Sequence, residues 1–179
     1  KLACMTSILA LTASAAAAEM NFNRISSFAT YHNNAEASAP SSAEIISASA
    51  DGMTLAYSDS PLGAVGLIDI TDPKAPKALG SIHVGGEPTA VSIIGTTAFV
   101  GVNTSESYTS PSGMLKAYDI KTKQEIAACD LGGQPDSTAS AKDGSVLAVA
   151  IENERDEDAG DGRVGQLPAG YLMLVDVKD

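Results

Sequence analysis

The segment GAVGLIDI, residues 63–70, returns twice along the chain, as GMLKAYDI at 113–120 and GYLMLVDV at 170–177. Each copy begins with glycine, continues through apolar residues typical of a strand, and has an aspartate six residues after the glycine. Self-similarity at a spacing of roughly 50 residues is the signature of a repeat architecture. The three copies therefore predict a protein built from repeated β units.

Each of these strands belongs to a longer unit whose parts come in a fixed order. A strand, a glycine turn and a second strand precede it, and the turn glycines are Gly52, Gly95 and Gly144. Two of them follow aspartate, and Asp-Gly is a strong hairpin signal. Nearly identical joints, GGEP at 85–88 and GGQP at 132–135, open the second and third units. Four antiparallel strands in about 45 residues are typical of a propeller blade.

We therefore predict an all-β chain, a β-propeller of four-stranded antiparallel blades over residues 43–179. The blades span approximately 43–86, 87–133 and 134–179. Because propellers have about 4–8 blades, three blades leave an incomplete ring, and we expect the remaining blades to be missing from this chain. Two alternatives stay open. Several copies of the chain close the ring together, or the strands form a run of separate hairpins.

The chain before residue 43 predicts export. Residues 1–18 have a charged start, an apolar run and an Ala-rich end, which is the pattern of a secretory signal peptide. The apolar run is too short for a transmembrane span, and a buried helix is the alternative. Residues 19–42 are predicted to supply an N-terminal strand at 24–31, which completes the last blade, followed by a linker.

The formal net charge of −11 limits the partners. It argues against nucleic acid and anionic membrane surfaces, which attract basic proteins. It is compatible with metal cations, because clustered carboxylates bind hard ions such as calcium. Once a signal peptide is removed, Cys129 is the single cysteine left, and we expect it to be packed in an outer strand with no disulfide.

The spacing of the units points to one functional end of the propeller. The gaps from turn glycine to third-strand glycine are 11, 18 and 26 residues, so length variation is concentrated in the loop between the second and third strands. Insertions on one face are typical of a binding face. In an antiparallel blade, the start of strand one and the end of strand two lie at that same end. We therefore expect an acidic mouth there.

The residues predicted at this mouth are candidate calcium ligands. The third loop, ENERDEDAGDG at 152–162, alternates carboxylates with glycines, a pattern that suits an ion taking several oxygen ligands. A solvated acidic surface loop is the alternative. The candidate metal ligands are Glu44, Glu87, Asp136, Glu152, Asp156, Asp158 and Asp161.

Other polar residues are interpreted as structural. Asp69, Asp119 and Asp176 end equivalent strands and are expected to bond to the backbone of the following turn. His32 and His83 have no second ligand at a plausible spacing. The chain has no nucleophile elbow, phosphate-binding glycine loop or paired-cysteine motif, so no catalytic residue is predicted.

Three stretches carry a family resemblance: residues 44–91, beginning EIISASADG; AIENERDEDAGDG at 150–162; and GQLPAGYLMLVDV at 165–177. They resemble secreted bacterial proteins of the esterase-like-activity-of-phytase family, which are similar to β-propeller phytases and contain repeats of the Leu-Val-Ile-Val-Asp type. The resemblance covers residues 22–179. It implies a calcium-dependent phosphomonoesterase, in which calcium holds phosphate and lowers the pKa of an attacking water. Arg155 and Arg163 are the candidate substrate-binding residues, since phosphate needs cationic clamps.

Two functions follow as expectations. One is an exported, phytase-like hydrolase of phosphate or other small-molecule esters. The other is a non-catalytic, calcium-stabilised binding or scaffold propeller that holds a surface ligand. Both belong outside the cytoplasm: in the periplasm, on the cell surface or in the extracellular space.

Overall fold

A computed structural model describes residues 22–165 and 167–177 of the chain. The predicted signal peptide, residues 1–18, lies outside the described residues. Within those ranges, no helix combines the length and the apolar character that crossing a membrane requires.

The described chain forms three antiparallel sheets in sequence order. Sheet 1 consists of β1 (Ile46–Ala48), β2 (Thr54–Asp59), β3 (Ala64–Asp69) and β4 (Lys77–His83). Sheet 2 consists of β5 (Glu87–Ile94), β6 (Thr97–Asn103), β7 (Gly113–Asp119) and β8 (Glu125–Asp130). Sheet 3 consists of β9 (Gln134–Ser140), β10 (Val146–Glu152) and β11 (Tyr171–Asp176).

The sheets stand next to each other through their first strands. The Ser47 hydroxyl of β1 accepts a hydrogen bond from the Ile93 amide of β5 at 3.0 Å. The Ser92 and Thr138 hydroxyls join β5 to β9 at 2.8 Å. These bonds join side chains to the neighbouring strand, whereas backbone ladders run only within each sheet. The predicted all-β propeller is confirmed, and its ring is open.

Two apolar layers hold the three sheets together. The first lies between sheets 1 and 2 and includes Leu67 of β3 and Val100 of β6, both fully buried. The second lies between sheets 2 and 3, where Leu115 of β7 meets Leu147 and Val149 of β10. Burying each such side chain contributes about 1.5–3 kcal/mol, so the layers between sheets are the main source of stability.

Each repeated joint packs tightly against the second strand of the sheet that it opens. A β-carbon on Gly86 would lie 2.7 Å from the Asn103 carbonyl oxygen, and one on Gly133 would lie 2.6 Å from Ile151 Cγ2. Pro88 and Pro135 are fully buried beside them. The near-identity of the two joints therefore reflects a shared packing requirement, because larger residues would clash with the strands they cross.

The predicted N-terminal strand at 24–31 is wrong. Residues 22–29 have no regular structure and Thr30–Asn33 form a 3-10 helix. This segment packs on sheet 1 instead of completing a last blade. The Asn33 amide donates to the Tyr57 hydroxyl at 3.0 Å and accepts from the Gly80 amide at 2.9 Å. The reason is that β2 presents polar groups on this face, and these groups need partners.

The expectation that Cys129 is packed is also wrong. Cys129 lies on β8, whose side chains are all exposed, although partial burial still raises the pKa of its thiol. Its equivalent in sheet 1, Ile82, is buried against sheet 2. Sheet 3 has no fourth strand among the described residues, so nothing there covers β8 in the same way.

Candidate functional site: an acidic loop face

The starts of the first strands and the ends of the second strands lie at one end of all three sheets. Glu87 pairs with Asn103, and Gln134 pairs with Glu152. In sheet 1 the Glu44 amide donates to the Ser58 carbonyl at 3.1 Å. We call this end the loop face; it also carries the connections 60–63, 104–112 and 153–170. The strand ends that were predicted to form the mouth therefore do lie together at one end of the sheets.

Three of the candidate carboxylates have a partner within their own sheet. Glu44 Oε2 accepts a bond from the Ser60 hydroxyl at 2.7 Å. Glu87 Oε2 accepts from the Asn103 amide at 3.3 Å, and Glu152 Oε1 accepts from the Gln134 amide at 2.8 Å. Each glutamate is thus fixed locally by a neutral donor, without a cationic side chain in these bonds.

Asp59, the last residue of β2 at this end of sheet 1, is buried. Its carboxylate accepts hydrogen bonds from the Ser41 hydroxyl at 2.5 Å and the Ser42 amide at 2.9 Å. A longer bond of 3.3 Å comes from the Leu62 amide. Buried carboxylates are stable only when their oxygens are satisfied in this way. Asp59 therefore fastens the N-terminal segment to sheet 1 and is not available to a ligand.

The candidate Asp136 lies within electrostatic reach of the candidate Glu152. Partial burial raises the pKa of Glu152 above its ordinary value, and repulsion from Asp136 and Glu154 raises it further. The bond from Gln134 acts in the opposite direction. Negative charge is thus crowded where β9 begins and β10 ends.

The long acidic loop uses some of its carboxylates to hold its own turns. Asp156 Oδ1 accepts from the Asp158 amide, and Asp161 Oδ1 accepts from the Arg163 amide, both at 3.0 Å. Gly160 and Gly162 have φ values of 61° and 72°, a left-handed conformation that favours glycine. The alternation of carboxylate and glycine therefore has a conformational role that does not require a metal ion.

The candidate calcium ligands are not gathered into one cluster. Within residues 22–165 and 167–177, no group of three or more histidine, cysteine or acidic side chains has an arrangement suited to a metal ion. Calcium takes about 6–8 oxygen ligands, so the described arrangement does not by itself form such a site. Calcium binding remains a prediction.

The loop face contains a polar cleft of about 510 Å³ between the second and third variable loops. Tyr108, which is 45% exposed, forms one side, and Glu152, Arg155 and Asp158 contribute to the other. Sequence reasoning did not single out Tyr108. The available signal was its position in a lengthened loop, since aromatic residues on binding loops supply contact area.

The polar residues interpreted as structural lie away from this cleft. Asp69 accepts from the Thr71 amide at 2.9 Å and Asp119 from the Thr122 amide at 2.6 Å, at the opposite ends of the sheets. For these two residues the predicted turns are confirmed. His32 contacts Tyr31 within the N-terminal segment, with ring centroids 4.3 Å apart and ring planes tilted by 48°.

Fold and loop face together define a propeller-type β domain with variable loops at one end. The chain belongs to the choice-of-anchor I domain family, whose model matches residues 44–179. Membership indicates an extracellular or cell-surface protein. The resemblance to the phytase-related family is not confirmed by this match.

Structural comparison supports the fold. The chain is similar to hydrazine synthase from Kuenenia stuttgartiensis, with a TM-score of 0.56 and 16% identity, over 75% of this chain and 34% of that protein. The chain thus spans about a third of the length of that relative, and the likeness concerns the fold alone. A search of curated proteins finds no match.

Proposed function

We propose that the chain is part of an exported binding or scaffold propeller, without catalytic activity, whose acidic loop face holds a cationic surface ligand. The observation that supports this most directly is the cleft beside Tyr108, where Glu152 and Asp158 face a space large enough for a side chain or small ligand. Carboxylates beside an exposed aromatic ring suit a cation, because both the charge and the ring face attract it.

The charge distribution favours binding over phosphate-ester hydrolysis. Phosphate recognition uses cationic clamps, most often arginine. Arg155 lines the cleft together with Glu154, Asp156 and Glu157, so the lining of the cleft carries a net negative charge. Such an environment repels a phosphate ester. The phytase-like hydrolase remains the competing hypothesis, and it needs basic residues from elsewhere in the protein.

Calcium enters the proposal as a stabilising ion and not as a reagent. Asp156 and Asp158 are the residues we expect to respond to it, because they lie side by side in the cleft. Binding would offset the mutual repulsion of neighbouring carboxylates. No reaction step is assigned to the ion.

The test measures binding and turnover on the same protein. The chain is titrated with calcium and separately with a short oligolysine peptide, and turnover of a generic phosphomonoester is followed with calcium and with chelator. The Asp156→Asn/Asp158→Asn variant is compared with Asp72→Asn/Asp143→Asn, which removes the same charge from turns at the opposite end of the sheets. We expect binding that weakens at high salt and is lost only in the first variant.

Two results contradict the proposal. Chelator-sensitive turnover that disappears in Asp156→Asn/Asp158→Asn establishes the hydrolase instead. Equal binding by the two double variants shows that the acidic loop face is not the binding surface.

A further inference from the structure

The outward face of sheet 3 carries the same contact positions that sheets 1 and 2 use against their neighbours. Two residues after the third-strand glycine, sheets 1, 2 and 3 have Val65, Leu115 and Leu172, respectively. Four residues after it they have Leu67, Ala117 and Leu174. In sheets 1 and 2 these side chains are 0–6% exposed, whereas Leu172 is 73% and Leu174 is 72% exposed. The equivalent residues are therefore buried in sheets 1 and 2 and exposed in sheet 3.

The bare leucines lie on the side of sheet 3 that faces away from sheet 2. Their neighbours Tyr171, Met173 and Val175 pack into the layer between sheets 2 and 3. Successive side chains of a strand point to opposite faces, so Leu172 and Leu174 share the other face. The register pairs them with Ala150 and Ala148 of β10, which adds apolar area to the same surface.

Gly170 provides a second, independent sign of a missing neighbour. Its equivalent Gly113 lies under the joint that opens sheet 3, where a β-carbon would lie 2.3 Å from Pro135 Cδ and 2.4 Å from the Gly133 carbonyl oxygen. At Gly170 the same construction meets only the backbone of sheet 3 itself, at 3.3 Å from the Ile151 oxygen. At Gly63 the nearest atom to such a β-carbon is likewise an oxygen of the joint, that of Gly86, at 3.4 Å. Both earlier glycines thus face a joint, and no joint faces Gly170 among the described residues.

The edge of β11 adds a third sign. The strands β3 and β7 are each paired on both sides, whereas β11 pairs only with β10 within the described ranges. Beside it lies an apolar groove of about 700 Å³ lined by Leu115, Ala127, Cys129 and Val175. A strand added to β11 would lie beside this groove, as β4 pairs with β3 and adds Ile82 to the layer between sheets 1 and 2. Unpaired strand edges of this kind readily accept a further strand.

We propose that the outward face of sheet 3 is the docking surface for a further sheet of the same repeat. That sheet first adds a fourth strand to β11 and then crosses over Gly170 through a Gly-Gly-x-Pro joint. Its first two strands bury Leu172 and Leu174 with aliphatic side chains, as Val91 and Val100 help to bury Leu67.

A second copy of this chain is a poorer occupant, because the outward face of its sheet 1 lacks the aliphatic residues with which sheets 2 and 3 pack against the preceding sheet. The fifth and seventh positions after the turn glycine are Val100 and Val102 in sheet 2 and Val149 and Ile151 in sheet 3. In sheet 1 they are Tyr57 and Asp59. Both are buried and bonded to the N-terminal segment, so this face is already occupied.

The experiment extends the full chain with its own repeat. Residues 177–179 are replaced by a second copy of residues 70–131, which supplies a turn, a fourth strand, a joint and a complete sheet. Hydroxyl-radical footprinting then compares Leu172 and Leu174 in the original and extended chains, and mass in solution is measured for both. Two variants of the extended chain serve as controls. Leu172→Glu/Leu174→Glu places charge on the proposed docking surface, and Met53→Glu/Val164→Glu introduces the same charge elsewhere.

We expect a monomeric extended chain in which the reactivity of both leucines falls by about tenfold, as burial predicts, together with a higher melting temperature. The glutamate control should lose the added stability, and Met53→Glu/Val164→Glu should keep it. The proposal is overturned if the extension folds while both leucines stay as reactive as before, or if it fails to fold. It is equally overturned if the original chain forms a defined dimer that already protects both leucines.

Discussion

Sheets 1 and 3 are built from the same repeat, yet the outward face of sheet 1 is polar and covered, whereas the outward face of sheet 3 is apolar and exposed. On sheet 1, Tyr57 and Asp59 replace aliphatic residues and bond to Asn33 and Ser41 of the N-terminal segment. On sheet 3, the outward face keeps its apolar residues and has no cover among the described residues. The difference teaches that polar residues at two positions of β2 bind an irregular segment where the equivalent aliphatic residues of sheets 2 and 3 pack against another sheet.

The largest expected effect comes from truncating the same repeat position on the covered and the bare faces. Leu67→Ala should destabilise the chain by about 2–5 kcal/mol, because it leaves a cavity between sheets 1 and 2. Leu174→Ala should change the free energy of unfolding by no more than about 0.5 kcal/mol, as at an ordinary surface site. Urea unfolding of both variants measures the difference. Equal losses would show that Leu174 is buried in solution.

A smaller effect is expected from the paired glycines. Gly113→Ala should cost about 1–3 kcal/mol, since its methyl group would overlap Pro135 and the Gly133 backbone. Gly170→Ala should cost clearly less, because the nearest atom is 3.3 Å away. Thermal melting of the two variants, measured side by side, tests whether a joint crosses one glycine and not the other. The comparison fails if both variants melt at the same temperature.

Attachment of the N-terminal segment to sheet 1 should depend on Asn33 and not on the adjacent Asn34. Asn33→Ala removes the bonds to Tyr57 and Gly80 and should destabilise by about 1–3 kcal/mol. Asn34→Ala is the matched control, because the side-chain amide of Asn34 is buried without a hydrogen-bond partner in the described structure. Its removal should be neutral or stabilising. Hydrogen exchange at Gly80 should quicken in the first variant alone; unchanged exchange there would argue against the anchor.

The smallest effect concerns pH at the loop end of sheet 3. The pKa of Glu152 is raised in the folded state, so ionisation of this residue disfavours folding. The penalty is full above the folded pKa and vanishes as pH falls below the unfolded pKa. Glu152→Gln should therefore stabilise slightly at pH 7, by less than about 0.5 kcal/mol for a partly exposed group. The gain should be absent at acidic pH, and a gain that grows with acid would have the wrong sign.

The turn aspartates at the other end should respond to acid in the opposite direction. Hydrogen bonds from Ser49 and the Met53 amide lower the pKa of Asp51, and Ser145 does the same for Asp143. Their contribution is present above the unfolded pKa and is lost as pH falls through the folded pKa. Because Glu152→Gln leaves these turns unchanged, acid unfolding of that variant should still occur.

The strands and their order could be predicted because the relevant information is local. The turn glycines Gly52, Gly95 and Gly144 all have positive φ. The Asp-Gly pairs at Gly52 and Gly144 mark two of the three hairpins from sequence alone. The common end of the first and second strands follows from antiparallel pairing alone. The loop face was therefore predictable before any coordinate was known.

The rest depends on contacts between residues far apart in sequence. Residues 24–31 alternate like a strand, but their fate is decided by Asn33 reaching Tyr57 and Gly80 on sheet 1. The exposure of Cys129 depends on whether a neighbouring sheet covers β8, which its own pattern does not reveal. Tyr108 gains its place at the cleft only when two variable loops meet.

The central claim is that the sheets stand face to face around an axis with their first strands adjacent. A Ser92→Cys/Thr138→Cys pair tests it most directly, in a chain whose Cys4 and Cys129 are replaced by alanine, because the two hydroxyls are 2.8 Å apart. We expect mild oxidation to form an intramolecular disulfide, which requires Cα atoms about 4.4–6.8 Å apart. Ser137→Cys in place of Thr138→Cys, pointing to the opposite face, should not cross-link. Two free thiols in the Ser92→Cys/Thr138→Cys protein would contradict the arrangement of the sheets.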